Sequence, residues 1–291
     1  MKYFFKKIYS ALPFKKQIFL VLRLFSLPEG IFKHLYFEGL ISVLIGKSVF
    51  KIYHYGYQLE NELFWKGIEG GWEKVSMQIW IALSRRSQYT MDIGANTGIF
   101  ALVSKTVNQG SRVFAFEPVK RIFEKLQRNI EVNQFDITSV CNGLSDFEGY
   151  ATIYDLPTDH VYSVTINENT NPPGQTVIPT QVKVTTLDGY CERAKLEQID
   201  LLKIDVETHE PSVLRGALRM LRKNRPAMII EILNEDVANE VNKILKEFDY
   251  LYFFLNEKSG PQRVVKIGGS DFGNYLACKR NDAEFLKLIE R

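Results

Sequence analysis

The chain has 291 residues, of which 45% are hydrophobic, 24% charged and 13% aromatic, with a net charge of +3; this excludes a disordered chain and fits one large domain with room for an appendage. Cys141, Cys191 and Cys278 lie far apart with no C-x-x-C pair, which excludes a disulfide framework or a zinc site and suits buried thiols in a reducing cytosol. The small net charge hides an asymmetry, because residues 1–56 hold nine Lys/Arg against Glu29 and Glu38, or +7, and the remainder carries −4.

The start, "MKYFFKKIYSALPFKKQIFLVLRLFSL", is basic and aromatic. Arg23 interrupts its apolar run, which is shorter than the roughly 20 residues a spanning helix needs. No small-residue cleavage pattern follows, so it does not read as a signal peptide. We expect residues 1–56 to form a helical extension packed on the main domain, with a basic amphipathic segment on an anionic membrane surface as the alternative. No motif for nucleic-acid binding accompanies the charge, and no such partner is expected. The main domain is expected over 57–291, beginning with a glycine-broken lead-in and a helix from about Trp72 to Arg85.

From Tyr89 strands and helices alternate. "YTMDIG" reads as a strand and Gly98 to Asn108 as a helix; "RVFAFE" is the next strand. In "PVKRIFEKLQRNIEVNQ", Pro118 suits a helix start, and Ile122, Leu126 and Ile130 form a stripe at spacing four. "DITSVC" is a third strand. Alternation of this kind predicts a mostly parallel sheet covered on both faces. The rhythm breaks at 151–190, where "ATIYDL" and "QVKVTTL" read as strands around a long polar stretch. We expect residues 157–181 to be a lid or an acceptor-side insertion, since structureless loops of that length in compact domains are usually functional. Alternation resumes with "IDLLKIDV", a helix over Pro211 to Asn224, "PAMIIEIL", and a helix from Glu235 to Phe248. "YLYFFLNEK" and "NYLACKR" follow with no helix between them, so that pair is expected to be antiparallel.

The turn "TMDIGANTGIFAL" carries the chemistry. Against a dinucleotide fingerprint G-x-G-x-x-G, Gly94 matches the first glycine, but Asn96 and Ile99 stand at the second and third. The missing second glycine is the one that admits a pyrophosphate. An NAD-dependent oxidoreductase is therefore disfavoured. Asp92 could accept hydrogen bonds from an ammonium group, while Gly94 and Gly98 let the chain turn closely around a ligand and open a helix whose amides favour a carboxylate. Those two groups together are the amino-acid end of S-adenosylmethionine. Glu117 ends the next strand in "FAFEP", where an acidic side chain can take both ribose hydroxyls.

"MDIGANTGIFAL", "VFAFEP" and "LLKIDVETHEPSVLRGA" resemble the three signature blocks of the FkbM-type methyltransferases, a resemblance that covers about residues 57–280. It implies the class I methyltransferase fold, α/β with a seven-stranded, mostly parallel sheet whose last strand is antiparallel, and S-adenosylmethionine as methyl donor. It also implies O-methylation of sugar or polyketide-type hydroxyls. Thr208 stands where the family usually has glycine. "LSDFEG" resembles the family too, and implies Ser145 or Asp146 near the adenine.

A hydroxyl acceptor needs a base, because its proton must leave. "KIDVETHEP" places Asp205, Glu207, His209 and Glu210 within six residues of one another just past a strand end. His209 is the natural base, since histidine titrates closest to neutrality, and Asp205 or Glu207 could orient its ring. Asp205 is also expected to reach the cofactor. Glu210 reads instead as charge complementing a helix N-terminus. His34, His54 and His160 have no comparable neighbours. Asp205, Glu207 and Glu231 could meet at the sheet rim and hold Mg²⁺, which is weighed but not favoured. "NPPG" at 171–174 is a turn, because Gly174 replaces the aromatic residue that amino-group methyltransferases use there. The reading is a cytoplasmic S-adenosylmethionine-dependent O-methyltransferase acting on a sugar hydroxyl in glycan or glycolipid assembly. A non-catalytic S-adenosylmethionine-binding module is the alternative from another class.

Overall fold

Apolar runs without polar interruption become the middle of the sheet. In the computed structural model, which describes residues 13–25, 27–71, 73–155, 178–269 and 273–290, the chain forms the following elements. The extension supplies helices α1 (Lys15–Leu22) and α2 (Glu29–Phe32) and strands β1 (Glu38–Ile45) and β2 (Ser48–Tyr55). The main domain continues α3 (Gln58–Lys66), α4 (Lys74–Ser84), β3 (Tyr89–Ile93), α5 (Ile99–Val107), β4 (Arg112–Phe116), α6 (Lys120–Asn133), β5 (Ile137–Val140), β6 (Gly143–Leu144), β7 (Gly149–Asp155) and β8 (Ile178–Thr185). It closes with α7 (Leu187–Arg193), β9 (Leu201–Ile204), α8 (Glu210–Arg215), α9 (Leu218–Asn224), β10 (Ala227–Ile232), α10 (Glu235–Leu245), β11 (Leu251–Asn256), β12 (Gly260–Val264), β13 (Gly273–Cys278) and α11 (Arg280–Phe285).

The large sheet runs β12-β11-β13-β10-β9-β3-β4-β5. Strands β3, β4, β5, β9 and β10 are parallel, and β13 is antiparallel to both β10 and β11. Every residue of β9 and β10 is buried, as expected where helices cover both faces of a parallel sheet. This is the α/β class I arrangement expected from the sequence, with one addition: β12, inside the glycine-rich link, pairs antiparallel with β11 and makes the sheet eight-stranded. The stripe on α6 is buried as expected at Ile122, Leu126 and Ile130. The helix expected over 211–224 is two helices. Gly216 lies at the break and packs so closely that a Cβ there would lie 2.0 Å from the Ser145 carbonyl oxygen.

The extension is not simply helical, as the sequence reading had it. Residues 38–55 form an antiparallel hairpin around Gly46 and Lys47, with Ile41, Val43, Ile45, Phe50 and Ile52 turned inward. Two asparagines one turn apart fasten it to α6. Asn129 Oδ1 accepts the Tyr53 N–H at 2.9 Å, and Asn133 Oδ1 accepts that of Lys51. Asn129 Nδ2 also donates to the Thr97 carbonyl at 2.8 Å, so one buried amide ties the hairpin to the turn after β3. An aromatic cluster then joins α1 to α3, with Phe19, Phe37, Phe64 and Trp65 in ring contact. Residues 1–12, His160, the N-P-P-G turn and all of the 157–181 insertion before Ile178 lie outside the described residues.

Candidate active site

The carboxyl ends of β3, β4, β9 and β10 open into a cavity of about 550 Å³. Open α/β sheets bind ligands on this edge. The turn after β3 forms its floor. Gly94 has φ +80 and Gly98 φ +95, a region that favours glycine. A Cβ on Gly94 would lie 1.8 Å from the Asp205 carbonyl oxygen, and one on Gly98 would lie 2.4 Å from Leu126 Cδ1. The two glycines are required by close packing of strand ends and helix, before any ligand is considered. Asn96, at φ +50, completes the turn and lines the cavity.

Glu117 lines the cavity at the tip of β4. Its Oε2 accepts the Asn96 N–H at 3.0 Å and its Oε1 the Val119 N–H at 2.9 Å, which fixes the carboxylate plane. Burial pushes it up to about 7. Asp92 lies deeper than Glu117. It is 1% exposed, its Oδ2 accepts the Ala101 N–H at 3.0 Å, and it is not among the residues lining the cavity. It closes the helix start of α5. Ser145 and Asp146 do not line the cavity either, whereas Asn142, Gly143 and Leu144 do.

Ser145 has a different partner. His209 lines the cavity, and its Nε2 lies 2.9 Å from Ser145 Oγ. Ser145 Oγ lies 3.3 Å from Asp146 Oδ1, and Asp146 Oδ2 accepts from Arg215 Nε at 2.9 Å. Ser145 thus holds the ring at Nε2, a partner that the sequence did not suggest. Burial lowers the His209 pKa, with Arg215 adding to the effect and Asp146 opposing it. The loop before His209 is strained. Glu207 has φ +52 and Thr208 φ +78, and a β-branched residue at positive φ is a genuine outlier. The glycine that Thr208 replaces would adopt that angle freely.

Beneath Asp205 lies a charge cluster that the sequence only partly disclosed. Lys203 Nζ donates to Asp205 Oδ2 at 2.9 Å, inside the core at 1% exposure. Burial alone would favour the neutral forms of both groups, yet their mutual attraction holds Lys203 protonated and Asp205 ionised. Glu231 is driven the other way, to about 10, by burial and by the Asp205 charge. Its neutral form is favoured beside the Asp205 charge. Glu73 had no motif to mark it. It sits at φ +55 before α4, accepts from Asn274 Nδ2 at 2.6 Å, and lines the cavity. Carboxylate oxygens of Glu73, Asp205 and Glu231 lie within 4.8 Å of one another. This trio, with Glu73 in place of Glu207, is the set that could hold a divalent cation. Lys203 already supplies the positive charge there, which disfavours a metal. Glu210 closes its own turn, Oε1 accepting the Val206 N–H at 3.1 Å.

Helix α3 and the residues after it form the outer wall through Gln58, Leu59, Glu62 and Leu63, while Ile153, Val182 and Val184 of β7 and β8 face it. In the sequence this segment is part of the glycine-broken lead-in.

Among the described cavity-lining residues there are six carboxyls and no lysine or arginine, and burial raises several of them. Glu73 and Glu117 rise to about 7 and Glu207 to about 8, as does Asp92 behind them to about 7. A carboxyl whose folded pKa lies above its unfolded value stabilises the fold below the unfolded value, and that contribution is lost as pH rises through the folded one. His54, lowered to about 4 by burial, acts oppositely, adding stability as pH rises from about 4 to its unfolded value. The raised carboxyls outnumber His54, so thermal stability is expected to fall as pH rises from about 5 to about 8. A melting temperature that rises from about pH 5 to about pH 8 would contradict this.

A family model described as the methyltransferase FkbM domain matches residues 92–252. The chain is 30% identical over 143 residues to Methyltransferase 1 of Beauveria bassiana, with 44% of this chain and 57% of that protein covered. It is 30% identical over 165 residues to the 2-O-methyltransferase NoeI of Sinorhizobium fredii (52% and 66% covered), and 28% over 156 residues to the hexuronic acid methyltransferase AglP of Haloferax volcanii (54% and 60%). The chain thus spans about three fifths of the length of these relatives. Among solved structures it is similar to the methyltransferase FkbM from Methylobacillus flagellatus, at 21% identity and TM-score 0.44, covering 65% of this chain and 43% of that one. The matched span takes in more than half of the 291 residues and contains the β3 turn, Glu117, Asp205 and His209, so the chain belongs to the methyltransferase FkbM domain family.

Proposed function

We propose that the protein transfers a methyl group from S-adenosylmethionine to a hydroxyl of a sugar in glycan, polysaccharide or glycolipid assembly, on the cytoplasmic side of the membrane. The observation that carries this is the convergence of Glu117, the Gly94–Gly98 turn, Asp205 and His209 on one cavity. The lining fits the cofactor: among the described residues it is rich in carboxyls and free of lysine and arginine, as suits a ligand bearing a sulfonium and an ammonium. Glu117 would take the ribose hydroxyls, and Asp205 with Glu73 the ammonium. When bound, S-adenosylmethionine supplies an electrophilic methyl group. The names of two relatives, a 2-O-methyltransferase and a hexuronic acid methyltransferase, support oxygen and a sugar as acceptor.

The protein's own part is positioning, drying and one proton. Leu59, Leu63, Ile153, Val182 and Val184 give the cavity apolar walls, which exclude water from an in-line displacement. The Ser145 hydroxyl has a single proton. If it goes to Asp146, Ser145 must accept the Nε2–H of His209, which leaves the Nδ1 lone pair to take the acceptor's proton. Calorimetry with S-adenosylmethionine, followed by a sugar-acceptor panel read by a mass gain of one methylene, tests the proposal. Saturable binding with methyl transfer to at least one hydroxyl is expected. Binding without transfer across the panel would leave a cofactor-binding module, and no binding would refute the cofactor.

A further inference from the structure

Helix α1 and the turn after it (Arg23–Phe25) are apolar on two opposite sides. Phe19 points inward, 2% exposed, with its ring 6.0 Å from that of Phe37 and 5.8 Å from that of Trp65. On the other side Phe14, Ile18, Val21 and Phe25 recur at spacings of four, three and four, which is one helical face, and Leu24 adjoins them. Phe14, Leu24 and Phe25 are 73%, 81% and 70% exposed, and Val21 is 58% exposed. A contiguous apolar stripe of this kind on a soluble surface marks an interaction site.

Charge decides among the occupants. The 56 residues that include this stripe carry +7. On the same segment, Lys16 Nζ reaches back to the Leu40 carbonyl, Arg23 lies over the Phe64 ring at 5.5 Å, and Lys33 is exposed. A second copy docking face to face would set +7 against +7. The chain's own residues 1–12 bring Lys2, Lys6 and Lys7 and no acidic residue. An anionic lipid surface meets both requirements, since it takes apolar side chains into its acyl boundary and basic ones at its headgroups.

We propose that α1 docks this stripe on the surface of an anionic bilayer, lying in the interface rather than crossing it. No described helix is long and apolar enough to span a membrane. The docking does not rest on the proposed reaction, but it bears on it. The inner side of α1 packs on Trp65 of α3, and α3 carries Leu59 and Leu63 of the cavity wall. The bilayer would then lie one helix layer from the cavity, as suits a lipid-borne acceptor.

Co-sedimentation of the full chain with vesicles tests the proposal. Vesicles of phosphatidylcholine containing about one third phosphatidylglycerol should bind the protein, pure phosphatidylcholine much less, and binding should fall as salt is raised. The double variant Val21→Glu, Leu24→Glu alters exposed positions only, so its melting temperature should match the parent while its vesicle affinity drops at least about tenfold. The proposal is overturned if the parent ignores anionic vesicles at low salt, or if the double variant binds them as well as the parent. It is equally overturned if sedimentation shows a dimer that the double variant dissociates, because the stripe is then a contact between copies.

Discussion

Replacing His209 with alanine is expected to lower kcat by about 10²-fold or more and to leave S-adenosylmethionine affinity within about twofold. The reason lies in the chain of contacts behind the ring. His209 Nε2, Ser145 Oγ and Asp146 form a short relay, and Arg215 Nε at 2.9 Å holds the far carboxylate ionised against the opposing cost of burial. With the Ser145 proton on Asp146, that relay selects the Nε2–H tautomer and leaves Nδ1 as the basic atom. Burial also lowers the ring's pKa below 6.5, so the neutral form predominates at pH 7. Turnover should be flat on the alkaline side of the folded pKa and fall as pH drops through it, the limb below pH 6.5. Ser145→Ala frees the tautomer without removing the base, and a smaller loss of about tenfold is expected. Near-normal turnover of the His209→Ala enzyme would return this histidine to a loop residue and make Asp205 the base to test. Loss of cofactor affinity equal to the loss of kcat would show a binding role instead.

The parallel core was legible because its physics is local. "YTMDIG", "RVFAFE" and "PAMIIEIL" are short apolar runs ended by turn residues, and a strand buried on both faces can read no other way in such a rhythm. The extension was misread although the signal was there. "LISVLIGKSVFKIYHY" alternates inward Ile41, Val43 and Ile45 with outward Ser42 and Leu44 around Gly46, a period of two that its basic and aromatic composition obscured. Helix α3 escaped for another reason. Its buried face carries Glu60 and Asn61 beside Leu63 and Phe64, so the apolar stripe that announces a helix is broken by buried polar groups; Asn61 Nδ2 donates to the Phe32 carbonyl at 3.1 Å.

The site was legible where a motif is contiguous and illegible where it is assembled. Glu117 and His209 were placed from their own blocks. Ser145 meets His209 across 64 positions, and nothing in either block names the other. Glu73 reaches the same cavity from the start of α4, ahead of the sheet, and Lys203 is hidden within an apolar strand. Only the fold brings these together.

Asp92 and Glu117, which the sequence treats as a pair of ligand contacts, are expected to separate on mutation. Glu117→Ala should weaken S-adenosylmethionine binding by at least about tenfold with a small change in melting temperature, since it removes a charged acceptor for two hydroxyls. The two backbone amides on Glu117, from Asn96 and Val119, point its carboxylate at the cavity and would be left to water. Asp92→Ala should do the reverse. Its carboxylate is sealed behind the turn on the Ala101 amide, and leaving that donor unpaired costs about 1–3 kcal/mol, or several degrees of melting temperature. Asp92→Asn sharpens the contrast. Burial has already pushed this carboxyl to about 7, so its neutral form is populated near neutrality, and the amide oxygen of asparagine can still accept from Ala101. The variant should fold and bind the cofactor like the parent. If instead it melts like the parent and loses about tenfold in affinity, Asp92 does meet the ammonium. The turn after β3 would then rearrange on binding, because in the free protein that side chain faces the helix.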